Sequence, residues 1–215
     1  MFRWLNLYVS QRTLLFLVWF IGAVFATSVS AAQARTVVVI GDSLSAAYGI
    51  PERAGWVALL QERLDKNDYN FNIINASITG ETSSGGATRI QSILAEHAPE
   101  FVIVELGGND GLRGLSLKSM RDQLSHIVQS SQASGAKVLL LGMKIPPNYG
   151  AQYTRKFEDS FVQIATEHSV SLVPFFLEDV ATDLSLMQDD GIHPNAKAQP
   201  LMLNRIWPAF EALLQ

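Results

Sequence analysis

The chain has 215 residues, 48% of them hydrophobic and 17% charged, with 16 Lys+Arg against 20 Asp+Glu and no cysteine. That length fits one domain with a sizeable core, and a formal charge of −4 lacks the basic face a nucleic-acid binder needs. The missing cysteines exclude a disulfide scaffold, thiolate-held zinc or iron–sulfur groups, and a cysteine nucleophile.

Residues 1–34 read as a secretory signal rather than part of the fold. Arg3 and Arg12 precede an uncharged apolar run, Leu14 to Ala26, followed by small residues and Ala32-Gln33-Ala34. The run is shorter than the roughly 20 residues that span a bilayer, and Ala-x-Ala is a cleavage signature. Without cysteine there is no lipoprotein anchor. Removing residues 1–34 takes away two arginines and no acid, leaving a mildly acidic chain of charge −6. Such a chain keeps no stable membrane anchor, and charge alone does not draw it to anionic membranes.

From residue 35 onward strand and helix patterns alternate. Thr36 to Ile40 is a β-branched run ending at Gly41, the pattern of a strand buried on both faces. Apolar residues at helical spacing from Trp56 to Leu64 predict a helix, and residues 71–74 a second strand. A helix follows from about Gly86 to His97, stopping before Pro99; then comes a third strand from Phe101 to Leu106. Residues 117–134 are helical with Gly135 at the exit, 138–141 a fourth strand, 153–168 helical, and 171–173 a short fifth strand. The last helix runs from about 198 or 200 to Leu214. Strands separated by helices form right-handed βαβ units. The fold class is therefore α/β, a three-layer α/β/α sandwich on a five-stranded parallel sheet, occupying residues 35–215 as one domain.

In such a sheet the working site lies beyond the carboxyl ends of the strands. The segments there are Gly41-Asp42-Ser43-Leu44-Ser45, Asn75 to Thr82 around Gly80, and Gly107-Gly108-Asn109-Asp110-Gly111. A fourth polar block, Gln188-Asp189-Asp190-Gly191-Ile192-His193-Pro194-Asn195, precedes the last helix. Ser43 is a candidate nucleophile but needs a base, which His193 can supply. Asp190, three residues earlier, can orient that imidazole, with Gly191 permitting the tight turn. The backbone N–H groups of Ser43 and Gly80 and the side-chain amide of Asn109 are candidate donors to an oxyanion. Asp42 can bond the turn that presents Ser43, and Asp110 can stabilise its own turn. His97, His126 and His168 fall on predicted helices, near their ends or exposed faces.

Each block alone is a common turn; the four together, in this order, resemble the SGNH (GDSL) hydrolases, and within them the bacterial thioesterase and lysophospholipase branch. The likeness spans Thr36 to the C-terminal helix. It extends to Glu105 to Gly114, to Pro146-x-Asn148-Tyr149-Gly150 and to Pro174-Phe175-Phe176. The resemblance implies a flavodoxin-like strand order 2-1-3-4-5 and a triad of Ser43, His193 and Asp190. It further implies an oxyanion hole of Ser43, Gly80 and Asn109, and no metal or organic cofactor. The implied substrates are small acyl esters, thioesters or lysophospholipids, handled by a monomer that is periplasmic or secreted. The Gly-x-Ser-x-Gly elbow of ordinary α/β-hydrolases is absent, because Ser45 stands where its second glycine would be.

Two features at the site admit more than one reading. Gly111 to Leu115 is either a flap over an acyl chain or a simple surface loop, and Pro146, Pro147 and Tyr149 can form another wall of an acyl groove. Three competing functions make separate predictions. A carbohydrate O-acetyl esterase of the same fold favours acetyl over longer chains. A non-catalytic flavodoxin-like binding module leaves Ser43 and His193 apart. A metal-dependent phosphohydrolase built on Asp42, Asp189 and Asp190 is sensitive to chelators.

Overall fold

The computed structural model describes residues 35–215; the expected signal segment, 1–34, lies outside them. Five strands, β1 (Arg35–Gly41), β2 (Phe71–Asn75), β3 (Phe101–Glu105), β4 (Lys137–Leu141) and β5 (Ser171–Val173), form one parallel sheet in the order β2-β1-β3-β4-β5. Six α-helices join or follow them: α1 (Trp56–Lys66), α2 (Ser83–His97), the short α3 (Gly108–Leu112), α4 (Leu117–Ala133), α5 (Ala151–His168) and α6 (Gln199–Leu214). Helices α1 and α6 pack together, as do α2 with α4 and α4 with α5, placing one group on each face of the sheet. The three-layer α/β sandwich and the 2-1-3-4-5 order expected from the sequence are therefore the observed ones. Among the described residues no helix is long and apolar enough to cross a membrane.

The sheet is the core because its central strands have no polar face. Val37 to Ile40 and Val102 to Val104 are fully buried, and Leu139 to Leu141 nearly so. Trp56, Leu60 and Leu64 from α1 and Ile206 and Phe210 from α6 cover one side. Ile90, Leu124, Ile127, Phe157 and Phe161 cover the other. A fully buried side chain of this size contributes about 1.5–3 kcal/mol relative to exposure.

Three local departures from the sequence reading stand out, two of them with an identifiable cause. Helix α2 starts at Ser83 rather than Gly86, because Thr82 caps it and Asp110 receives both the backbone N–H and the hydroxyl of Ser83, at 2.8 and 2.6 Å. Gly107-Gly108-Asn109-Asp110-Gly111, expected as a turn, leads directly into helix α3; Gly107 takes φ of +107° as the chain leaves β3. Leu106 is buried but lies outside β3.

The sheet order reverses between β1 and β3: the chain steps outward from β1 to β2 and then returns to the far side of β1. The register pairs Gly41 with Glu105, so the two strands end side by side. The loops after them therefore diverge from a common point, the crevice where open α/β sheets bind their ligands.

Candidate active site

Ser43 sits in the turn that leaves β1. The Asp42 carboxylate accepts the Leu44 N–H at 3.1 Å, Ala46 N–H bonds to the Asp42 carbonyl, and Tyr48 N–H bonds to the Ser43 carbonyl. Asn75, at the end of β2, donates from its side-chain amide to the Ser45 carbonyl at 2.8 Å and ties the turn to the neighbouring strand. Gly41 must be glycine: a Cβ there would lie 2.7 Å from Ser45 Oγ and 2.9 Å from Glu105 Oε2.

His193 reaches Ser43 from the other end of the chain. Its Nε2 lies 3.0 Å from Ser43 Oγ, and its Nδ1 lies 2.6 Å from Asp190 Oδ2. The second Asp190 oxygen accepts the backbone N–H groups of Ile192 and His193, both at 2.9 Å. These bonds and the imidazole hold the Asp190 carboxyl down at about 2, so it is an anion throughout the neutral range. Gly191 has φ of +66°, which folds Asp190 back onto the ring. The block is braced by an antiparallel bridge between Met187 and Pro194 and by Gln188, whose amide reaches the carbonyls of Tyr48 and Pro194. Asn195 also ties it to the Ser185 and Met187 carbonyls.

Gly80 occupies a turn closed by Glu81 N–H on the Ile78 carbonyl, with φ of +77°. Ile78 N–H bonds to the Gly41 carbonyl, drawing this loop against the nucleophile turn. Arg113 donates to the Gly80 carbonyl at 2.9 Å. Among the described residues neither Ser43 N–H nor Gly80 N–H has an acceptor. Asn109, in the first turn of α3, directs Nδ2 to Asp42 Oδ2 and to the Glu81 carbonyl, both at 3.0 Å. Both of its bonds in the structure are thus made within the protein.

Several residues here escaped the sequence reading. Tyr48 packs against the His193 ring, with centroids 4.5 Å apart. Arg113 fixes the Gly80 loop. Glu105, the last residue of β3, is fully buried beneath the nucleophile turn; an acid closing a strand of buried aliphatic residues was the available signal. Asp110 is more than a turn residue, since it holds the start of α2. Burial pushes Asp42 up to about 6, against the opposing bonds from Leu44, Glu105 and Asn109 and the charge of His193. Burial and the Asp42 charge likewise raise Glu105 well above the ordinary glutamate range.

The segment from Gly111 to Leu115 is tethered. Tyr149 Oη donates to the Leu112 carbonyl at 2.7 Å, Tyr153 Oη to the Leu115 carbonyl at 3.0 Å, and Arg113 to Gly80. Gly111 is a packing glycine: a Cβ there would meet Phe157 at 2.6 Å. Asp42 and Asp190 face different partners, and among the described residues no three His, Asp or Glu side chains converge as metal ligands. A hollow of about 340 Å³ lies behind the Ser43 turn, along Ser45, Ala47, Val57 and Asn75; away from Ser43 lie two others, one of about 460 Å³ beside Arg63 and Trp207 and one of about 320 Å³ beside Arg121 and His126. Neither brings a nucleophile to a base, whereas Ser43, Tyr48 and His193 share a small crevice of their own.

Residues 39–200 match the model of the GDSL-like lipase/acylhydrolase family. The chain is 48% identical to an esterase, TesA, of Pseudomonas aeruginosa over 183 residues, covering 85% of this chain and 91% of that protein. It is 44% identical over 172 residues to thioesterase 1/protease 1/lysophospholipase L1 of Escherichia coli K12, covering 80% and 81% of the two chains. Among solved structures it is similar to a psychrotrophic esterase, EstA, of Pseudoalteromonas sp., inhibited by monoethylphosphonate. The TM-score is 0.80 with 43% identity, over 84% of this chain and 98% of that one. The chain belongs to the GDSL-like lipase/acylhydrolase family.

Proposed function

We propose that the protein is a serine hydrolase of acyl esters and thioesters working through an acyl-enzyme. The observation that carries this reading is the unbroken relay from Asp190 Oδ2 through His193 to Ser43 Oγ, with contacts of 2.6 and 3.0 Å. A proton on Nδ1, held by the Asp190 anion, leaves the Nε2 lone pair free to receive the Ser43 proton. Ser43 Oγ attacks the acyl carbonyl carbon, and the carbonyl oxygen becomes an oxyanion. The unpaired N–H groups of Ser43 and Gly80 are the donors for that charge, with the Asn109 amide as the third. His193 then returns its proton to the leaving alkoxide or thiolate, and the acyl group stays on Ser43. Water repeats the cycle with His193 as base, which releases the acid and restores the serine.

The chemistry needs no metal or organic cofactor. Exposed Tyr48, Ile78, Leu115, Tyr149 and Ile192 all belong to loops that carry the site, which supports substrates with apolar acyl groups, lysophospholipids among them. We assign residues 1–34 as an export signal on their sequence pattern, placing a monomeric enzyme in the periplasm or outside the cell. Acyl-CoA is an intracellular thioester, so esters and lysophospholipids are the working substrates in that compartment.

The test is hydrolysis of p-nitrophenyl esters of increasing acyl length, with Ser43→Ala beside the wild type and with and without chelator. Activity that ignores chelator and vanishes in Ser43→Ala is the expected result. Activity surviving in that variant would move the chemistry to another centre. A profile confined to acetate would indicate an O-acetyl esterase.

A further inference from the structure

Two buried acidic residues, Asp42 and Glu105, lie side by side at the turn that carries Ser43. Glu105 closes β3 opposite Gly41, and its side chain is fully buried. Its Oε2 accepts the Ser45 hydroxyl at 2.8 Å and the Asp42 N–H at 3.2 Å, while Oε1 is buried without a hydrogen-bond partner. Through that N–H bond Glu105 is fastened to Asp42 itself, whose carboxyl charge acts on it. Asp42 is only 3% exposed and is engaged on its other sides by Leu44 N–H and the Asn109 amide.

Two neighbouring carboxyl groups this well removed from water do not both ionise. The proton belongs on Glu105 for three reasons. Glu105 is the deeper of the two. No cation is among the groups acting on it, which are Asp42 and Ser45, whereas His193 favours charge on Asp42. An ionised Glu105 would also leave Oε1 as a buried charge with no donor.

We infer that Glu105 is a neutral acid beneath the nucleophile turn and acts, through Asp42, as a positioning residue for the Asn109 amide. The inference rests on the serine-hydrolase reading for its effect on rate, but not for its protonation state. The proton on Glu105 allows Asp42 to remain the single anion of the pair. That anion holds one hydrogen of Asn109 by a charge-assisted bond and fixes the angle at which the amide faces the substrate. Glu105 simultaneously anchors Ser45 and the Asp42 backbone, so one side chain sets both the nucleophile turn and an oxyanion donor. A lone carboxylate under Asp42 would repel it and free the amide to rotate.

Glutamine reproduces a neutral acid: one oxygen to accept Ser45 Oγ–H and Asp42 N–H, and one donor to face Asp42. Glu105→Gln is therefore expected to keep kcat within about threefold of wild type. Glu105→Leu, which leaves Ser45 and Asp42 N–H unpaired, is expected to lose at least about 30-fold in kcat with little change in KM, or to fail to fold. A Glu105→Gln variant that loses more than about tenfold, or does not fold, overturns the inference.

A second measurement is independent of activity. With ¹³C-labelled glutamate, the one side-chain carboxyl resonance missing from Glu105→Gln should sit at the protonated-acid position in the wild type at pH 7. That resonance at the ionised position would overturn the inference equally. Activity retained by Ser43→Ala would remove the serine reading while leaving the carboxyl spectrum to decide Glu105.

Discussion

Tyr48 and His193 face each other with ring centroids 4.5 Å apart and planes inclined at 43°. The imidazole is thus confined on one side by an aromatic face and along its plane by Asp190 and Ser43. Tyr48 is itself fixed at its carbonyl by Gln188, from the same block that carries the histidine. Aromatic pairs of this kind contribute about 0.5–1.5 kcal/mol beyond area burial. Tyr48→Ala should therefore lower kcat about three- to tenfold, and Tyr48→Phe should restore it. Ester kinetics at saturating substrate provide the measurement.

Asp190 should matter through charge and orientation rather than through its own titration. Asp190→Asn is expected to lower kcat by about 10³–10⁴-fold and to lower the melting temperature at pH 7 by a modest amount. Because the carboxyl is held at about 2, its contribution to stability is present above its ordinary value of 3.8 and is lost as pH falls through about 2. A wild-type pH–rate profile measured from pH 4 upward should thus show no limb from Asp190.

The buried pair works in the opposite direction. Asp42 is raised from 3.8 to about 6, so its contribution to stability is full below 3.8 and declines as pH rises through 6. Glu105, raised further, extends the decline to higher pH. Melting temperatures between pH 4 and 7 should fall less steeply in Asp42→Asn than in wild type. Equal slopes would mean that Asp42 titrates at its ordinary value.

Asn109→Ala removes the proposed oxyanion donor and the amide partner of Asp42 together. A loss of about 10²–10³-fold in kcat is expected, with KM for a short ester changing little. Comparing the variant's kcat with its KM distinguishes this from a binding defect.

Leu112 is the apolar residue of the tethered segment that packs against the core. Leu112→Ala should reduce kcat/KM for long-chain esters more than for acetate. Equal losses across acyl lengths would place the acyl chain elsewhere.

The parts of the site legible in sequence are those whose chemistry is local. Asp190 and His193 are three residues apart and share one turn; Gly41-Asp42-Ser43 directly follows an obvious buried strand. Asn109 and Gly80 were legible through the combination of blocks, and the sheet order through its likeness to a family. Glu105 and Tyr48 were not, because their roles arise from contacts between distant segments. Glu105 meets Ser45 across 60 residues, and Gln188 meets Tyr48 across 140. The helix at Gly108–Leu112 was hidden for another reason: glycines ordinarily break helices, and here Gly111 is required by Phe157 and Ile145 pressing close. The same limit applied to Asp110, whose partner Ser83 lies 27 residues away.

Ser43 and His193 are 150 residues apart in the chain. A ribosome makes the chain from its N-terminus, so the serine exists long before the histidine. From β3 onward, each new strand joins the same advancing edge of the sheet, in the order of synthesis. The block bearing His193 comes after the last strand and rests against the start of α6, which Gln199 fastens to α1 through Trp56 N–H. A nascent chain halted before that block would lack the residue that Ser43 Oγ contacts. The contact between Ser43 and His193 therefore forms only once nearly the whole polypeptide has been made.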